Sequence, residues 1–169
     1  MRDTSRRPNN VIEEVAALRQ DLDDLRSTLL FRTGRIGSFT SYEPTWTAAT
    51  TDPSIVDGSL QGKFSNFGLV VVQFELIIGA STTLGTGDWF IGLPVAYEDS
   101  LGAEGAHLGS AIARDDSTGN RYNLELQRGD TELTFGARID GGALSADSNS
   151  PFLWAVNDKL VGTLVYEVA

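Results

Sequence analysis

The run Leu69-Val-Val-Val-Gln-Phe-Glu-Leu-Ile-Ile78 alternates with a period of two. Val70, Val72, Phe74, Leu76 and Ile78 fall on one side, and Leu69, Val71, Gln73, Glu75 and Ile77 on the other. Successive side chains of a strand point to opposite faces, so this pattern predicts a strand with one face in the core. Its mixed face suits partial cover by another sheet or subunit. With Gln73 and Glu75 inside it, this longest apolar stretch is far short of the ~20 residues that span a bilayer, so no membrane partner is expected.

The same alternation recurs on both sides. Strands are predicted at 38–42, 45–48, 58–64, 89–93, 107–114, 121–127, 133–139 and 159–168, besides 70–78. Turn chemistry separates them: Asp57-Gly58, Gly85-Thr-Gly87, Ser117-Thr-Gly119-Asn120, Arg128-Gly129-Asp130 and Asp140-Gly-Gly142. Short strands at this spacing fit an antiparallel β-sandwich, jelly-roll-like, over residues 38–169.

Before Gly37 the period is seven. Val11, Val15, Leu18, Leu22, Leu25 and Leu29 are spaced 4, 3, 4, 3, 4, an a/d heptad seam. The e and g positions match the parallel arrangement, in which Glu14 meets Arg19 and Asp21 meets Arg26 of the neighbouring helix. Asn10 and Glu13 make a capping box at the start, and Gly34 and Gly37 supply the stop. Residues 11–37 are therefore read as a parallel coiled-coil stalk and linker, with a helical rod of about 35 Å. The alternative is a lone amphipathic helix packed on the body. Leucine at both a and d leaves the number of strands open.

The formal net charge of −10 is unevenly placed. Residues 1–10 carry Arg2, Arg6 and Arg7 against Asp3, residues 11–37 are nearly balanced, and residues 38–169 hold six bases against seventeen acids. An acidic body is ill suited to nucleic acid, which requires a basic surface. The basic arm is a candidate anchor to a negative surface; the alternative is a disordered terminus with incidental charge.

No catalytic constellation stands out, and the expectation is of no enzyme and no cofactor. Cysteine is absent and His107 is the only histidine, so thiolate chemistry is excluded and a His-based metal site is nearly so. His107 sits in strand-like sequence. The Gly79 to Gly87 loop lacks the spacing and the lysine of a phosphate-cradling loop. Asp115-Asp116 lies beside a turn without a calcium-loop pattern. Tyr97 and Trp154 are candidate sugar-stacking aromatics if exposed; Trp46, Trp89 and Trp154 are equally candidates for the core.

Several stretches resemble a β-domain recurrent in virion proteins of tailed phages infecting actinobacteria. They are Tyr42-Glu-Pro-Thr-Trp46-Thr, Asp57-Gly-Ser-Leu-Gln-Gly-Lys-Phe64, Gly68 to Pro94, and Ser150-Pro-Phe-Leu-Trp154 running on to Tyr166-Glu. The resemblance implies a β-rich head of a head fibre, decoration protein, minor tail protein or tail-fibre tip, and carries over no catalytic residues. Such appendages are commonly trimers with an attachment arm, a helical stalk and an outward β head. The expectation is therefore a homotrimer on the virion surface, on the capsid exterior rather than the tail. Arg2, Arg6 and Arg7 would dock on the major capsid protein or another virion protein, and a host surface glycan is the alternative partner. A Met-initiated chain with only ten residues ahead of its stalk suits a short head fibre better than a long tail fibre.

Overall fold

A computed structural model describes residues 38–97, 107–129, 134–139 and 145–168, together with Val15 and residues 19–23. The chain separates into two units, Met1–Ser38 and Phe39–Ala169. In the first, Val15 and residues 19–23 are helical and exposed, and no coiled-coil helix is seen among the described residues.

The second unit is antiparallel β throughout its described strands. These are β1 (Thr40–Tyr42), β2 (Trp46–Ala48), β3 (Ser59–Asn66), β4 (Leu69–Ile77), β5 (Trp89–Gly92), β6 (His107–Arg114), β7 (Arg121–Arg128), β8 (Thr134–Ile139) and β9 (Lys159–Glu167). They form one hydrogen-bonded sheet in the order β1-β3-β4-β9-β6-β7-β8-β5-β2. Where two separately paired sheets were expected, the sheet is continuous and curled.

The curl follows from chain length. Strands β1 and β2 are the two edges of the sheet, yet only residues 43–45 join them. Four Cα steps reach at most about 14 Å, so the two edges must meet. One hydrogen bond crosses from the β1 edge: Tyr42 donates its hydroxyl at 3.3 Å to the carbonyl of Gly92 on β5, the partner of β2. Gly92 N–H donates to Thr45 O at 2.9 Å and extends the β5–β2 ladder into the connection. Burial pushes the Tyr42 hydroxyl above its ordinary pKa, with the nearby Tyr166 adding to the effect. Bringing the edges together also limits the open edge available for pairing with other chains.

The inner face is the core. In β4, Val70, Val72, Phe74 and Leu76 are buried, and in β9, Leu160, Gly162, Leu164 and Tyr166. Phe74 meets Phe135 of β8 at 5.0 Å between ring centroids although four strand steps separate them in the sheet. A chain of aromatic rings crosses the interior: Trp46 to Trp89 at 4.8 Å, Trp89 to Trp154 at 5.2 Å, Trp154 to Phe152 at 4.6 Å, and Phe152 to Tyr122 at 5.1 Å. Trp89 and Trp154 donate their indole N–H groups to Leu84 O and Ser150 O. The buried Trp46 Nε1 has no hydrogen-bond partner among the described residues.

Gly162 is fixed by close approach. A Cβ there would lie 2.5 Å from Cε1 of Phe74, whose ring is already set against Phe135. Gly162→Ala is expected to cost about 1–3 kcal/mol by overpacking, read as a lower urea midpoint. An unchanged midpoint would mean that the Phe74 ring turns aside freely.

Candidate functional site

The alternation that buries one face of the sheet leaves the other outward. Register groups the outward side chains into rows that cross the strands. Arg121, Arg114 and Lys159 stand directly opposite one another on β7, β6 and β9. The next row holds Asn123, Ile112, Val161, Glu75 and Gln61, and the one after it Glu125, Ser110, Thr163, Gln73, Lys63 and Ser41. Ile112 and Val161 are 43% and 44% exposed.

This face inverts the charge of the body. All six Lys and Arg after residue 38 are described, and five of them lie on it: Lys63, Arg114, Arg121, Arg138 and Lys159. Of the described acids in the same span only Glu75, Glu125 and Glu167 do. The other described carboxylates belong to turns and connections. The sixth base, Arg128, lies over the Tyr97 ring and donates to the Tyr97 hydroxyl.

Like charges directly opposite on neighbouring strands repel. Arg114 is answered by Asp116 at 3.2 Å, and Lys159 by Glu75 at 4.0 Å. Both are exposed pairs, worth at most about 1 kcal/mol each. Beside this row an open cleft of about 510 Å³ is lined by Ser41, Gln61, Lys63, Gln73, Glu75 and Thr163, among others. Lys63 also lies over the Phe39 ring, 5.2 Å from its centre. The cleft is rich in hydrogen-bonding groups on a rigid support, which suits a polar ligand.

The other sequence candidates find plain structural roles. His107 bonds Glu125 across β6 and β7 at 2.8 Å, with both side chains exposed. In the Gly79 to Gly87 loop the amides are engaged within the protein: Gly79 N–H donates to Thr82 Oγ1, Ser81 N–H to Asp57 Oδ1, Thr83 N–H to Ser54 O and Thr86 N–H to Thr51 O. Tyr97 and Trp154 are buried, which removes both as sugar-stacking platforms. Among the described residues the exposed aromatics are instead Phe39 and Phe67.

Asp115 organises its turn. Its carboxylate accepts from Ser117 Oγ and Thr118 Oγ1, both at 2.7 Å, and from both their backbone amides. These bonds, the Ser117 hydroxyl first, hold its pKa below the usual carboxylate value. A depressed folded-state pKa contributes stability above the unfolded pKa, and that stability is lost as pH falls through the folded one. Ser117→Ala is expected to raise the Asp115 midpoint in a carboxyl-carbon NMR titration. An unmoved midpoint would reject this assignment.

Among the described residues no cluster of three or more His, Asp or Glu is placed to hold a metal ion, and no helix is long and apolar enough to cross a membrane. Of the N-terminal residues singled out by the heptad pattern, Val15, Arg19, Asp21 and Leu22 are described and exposed. Arg2, Arg6, Arg7, Val11, Glu14, Leu18, Leu25, Arg26 and Leu29 lie outside the described residues. No protein-family model, curated protein or solved structure matches the chain.

Proposed function

We propose that this chain is a non-enzymatic structural protein of a phage particle, a homotrimeric head fibre or capsid decoration protein. In this reading Arg2, Arg6 and Arg7 anchor it to the capsid. A parallel stalk from Val11 to Leu29 joins three chains, and the β unit, as a flattened jelly-roll-like sandwich, faces outward. The observation that carries the reading is that Val15 and Leu22, successive a positions of the heptad seam, are helical and exposed in the single chain. Apolar residues in that position gain by burial against further copies of the same helix. The resemblance of residues 42–94 and 150–167 to phage virion domains supplies the setting.

Light scattering on the purified protein is expected to give about three times 18.2 kDa. Leu22→Asp places a charge in the seam and is expected to yield monomers. A wild-type monomer at micromolar concentration would overturn the stalk. Deleting residues 1–10 is expected to leave the trimer intact and abolish capsid binding; a truncated protein that still decorates capsids would overturn the anchor.

The open cleft favours a second reading, a tail-fibre tip or minor tail protein that binds host surface glycan through Gln61, Lys63, Gln73 and Thr163. Binding of the purified protein to host wall polysaccharide, lost in Gln73→Ala, would support it over the first.

A further inference from the structure

The outward face changes character from one end of its strands to the other. The Arg121, Arg114 and Lys159 row lies at one end, and the polar cleft follows it. Beyond the cleft Val165, Val71 and Ser65 stand opposite one another on β9, β4 and β3, a row with no ionisable side chain. Leu69 is the next outward residue of β4, opposite Glu167. Phe39, over which Lys63 of the cleft lies, flanks the row just before β1. Val165, Leu69 and Phe39 are all exposed. A contiguous apolar patch on a polar surface marks an interaction site.

Register separates this patch from the other exposed aliphatic residues. Val56, Leu153 and Val156 stand in connections, where no strand pairing aligns them into a row. Ile112 and Val161 lie directly beside the charged Arg114 and Lys159. The patch also has a distinct place along the chain. β1 is the first strand of the β unit, and it enters the sheet at this end. Phe39 follows Gly34, where the heptad helix is read to stop, by five residues, at most about 18 Å of chain. Lys159, at the other end of the face, lies six residues from Val165 along β9, about 20 Å away.

We infer that in the assembled protein three β units meet around the threefold axis through Val165, Val71 and Leu69. This rests on the trimer proposed above. Copies that share a parallel stalk leave it from a common axis, so the entry end of each β unit is the end tethered to its neighbours. Residues beside a threefold axis meet their own equivalents in the other copies. A charged row there would face like charge and be repelled, whereas an uncharged apolar row is complementary to itself. Val165 and Val71 meet that requirement, and the Arg114 and Lys159 row does not. The occupant is therefore a second copy, presenting the same patch. The excess acid of the body opposes association over the rest of its surface. A few half-exposed side chains are too small an area to join free copies. The stalk supplies the effective concentration at which so small a contact forms.

Cysteine is absent from the sequence, so introduced thiols report without background. Val165 and Ile112 share the outward face at 44% and 43% exposure, which makes Ile112→Cys the control. In the full chain, Val165→Cys is expected to react with a maleimide about tenfold more slowly than Ile112→Cys, because interface cores exclude solvent. Mild oxidation is expected to join Val165→Cys copies into covalent dimers and to leave Ile112→Cys unlinked. Adding Leu22→Asp, which breaks the seam, is expected to return Val165→Cys to the control rate and abolish the dimers. A trimer in which both thiols react equally fast would overturn the contact and leave the stalk standing. A wild-type monomer would remove both. Protection of Val165→Cys that persists in Leu22→Asp monomers would overturn the contact and assign the patch to another part of the same chain. Protection in the trimer without covalent dimers would overturn it as well, in favour of a different partner.

Discussion

Trp89→Ala is expected to destabilise the β unit by about 3–5 kcal/mol, the range for removing a large buried aromatic side chain. Trp89 sits in the middle of the aromatic chain, with Trp46 packed edge-on at 4.8 Å and Trp154 tilted at 5.2 Å. It also starts β5, the strand that links β8 to β2 and so connects the edge at which the sheet closes. The substitution therefore removes contact on both sides and an indole N–H bonded to Leu84 O at 2.9 Å. Total stabilities of single domains run near ~5–15 kcal/mol, so the loss is a large fraction of what such a unit possesses. Two milder variants apportion the effect. Trp89→Phe keeps a ring but loses the hydrogen bond, whose net worth is about 1 kcal/mol. Trp46→Phe breaks no hydrogen bond of the described structure, since the Trp46 indole nitrogen has no partner there. Urea unfolding followed by far-UV circular dichroism should rank them Trp89→Ala, Trp89→Phe, Trp46→Phe, from most to least damaging. A Trp89→Ala protein within about 1 kcal/mol of wild type would contradict the packing described.

Asp158→Ala is the second large effect. Asp158 is 1% exposed and uses both carboxylate oxygens, accepting from Asp116 N–H at 2.8 Å and from Ala155 N–H at 2.5 Å. It thereby ties the β6–β7 turn to the turn that precedes β9. The Asp158 carbonyl also accepts from Ile78 N–H at the end of β4. Hydrogen bonds to a charged acceptor are worth about 1.5–3 kcal/mol each, so losing both is expected to cost about 3 kcal/mol or more. Asp158→Asn retains one acceptor oxygen but turns an NH2 group toward a backbone N–H, and should fall between wild type and Ala. Hydrogen exchange at the Asp116 and Ala155 amides should accelerate in parallel. Equal stability for the Asn and Ala variants would show that double acceptance is not what holds the turns together.

The strands were legible in the sequence because their signal is local. Nine stretches were expected as strands and nine strands are present among the described residues, with Val70, Val72, Phe74, Leu76 and Ile78 on the buried side as the pattern of two requires. The curl was not legible: it depends on β1 and β2 pairing with β3 and β5 at opposite ends of one sheet, a long-range choice that no local window contains. The burial of Tyr97 and Trp154 was hidden for the same reason, since each lies outside a regular strand, where periodicity is silent. The basic outward face was half visible. Arg114, Arg121 and Lys159 stand at strand ends in the sequence, but only the register of β7, β6 and β9 aligns them in one row.

By itself the amino-acid order determined the fold class of the body, the alternation of its faces and its excess of acid, because each follows from residue type and near neighbours along the chain. It also determined the seven-residue pattern before Gly37. Tertiary structure alone decided that the described strands of the body form one curled sheet, and that its described carboxylates lie mostly in connections while five of its six bases share an outward face. Those are properties of strand order and register, which pairing energy selects across distances the local sequence does not encode.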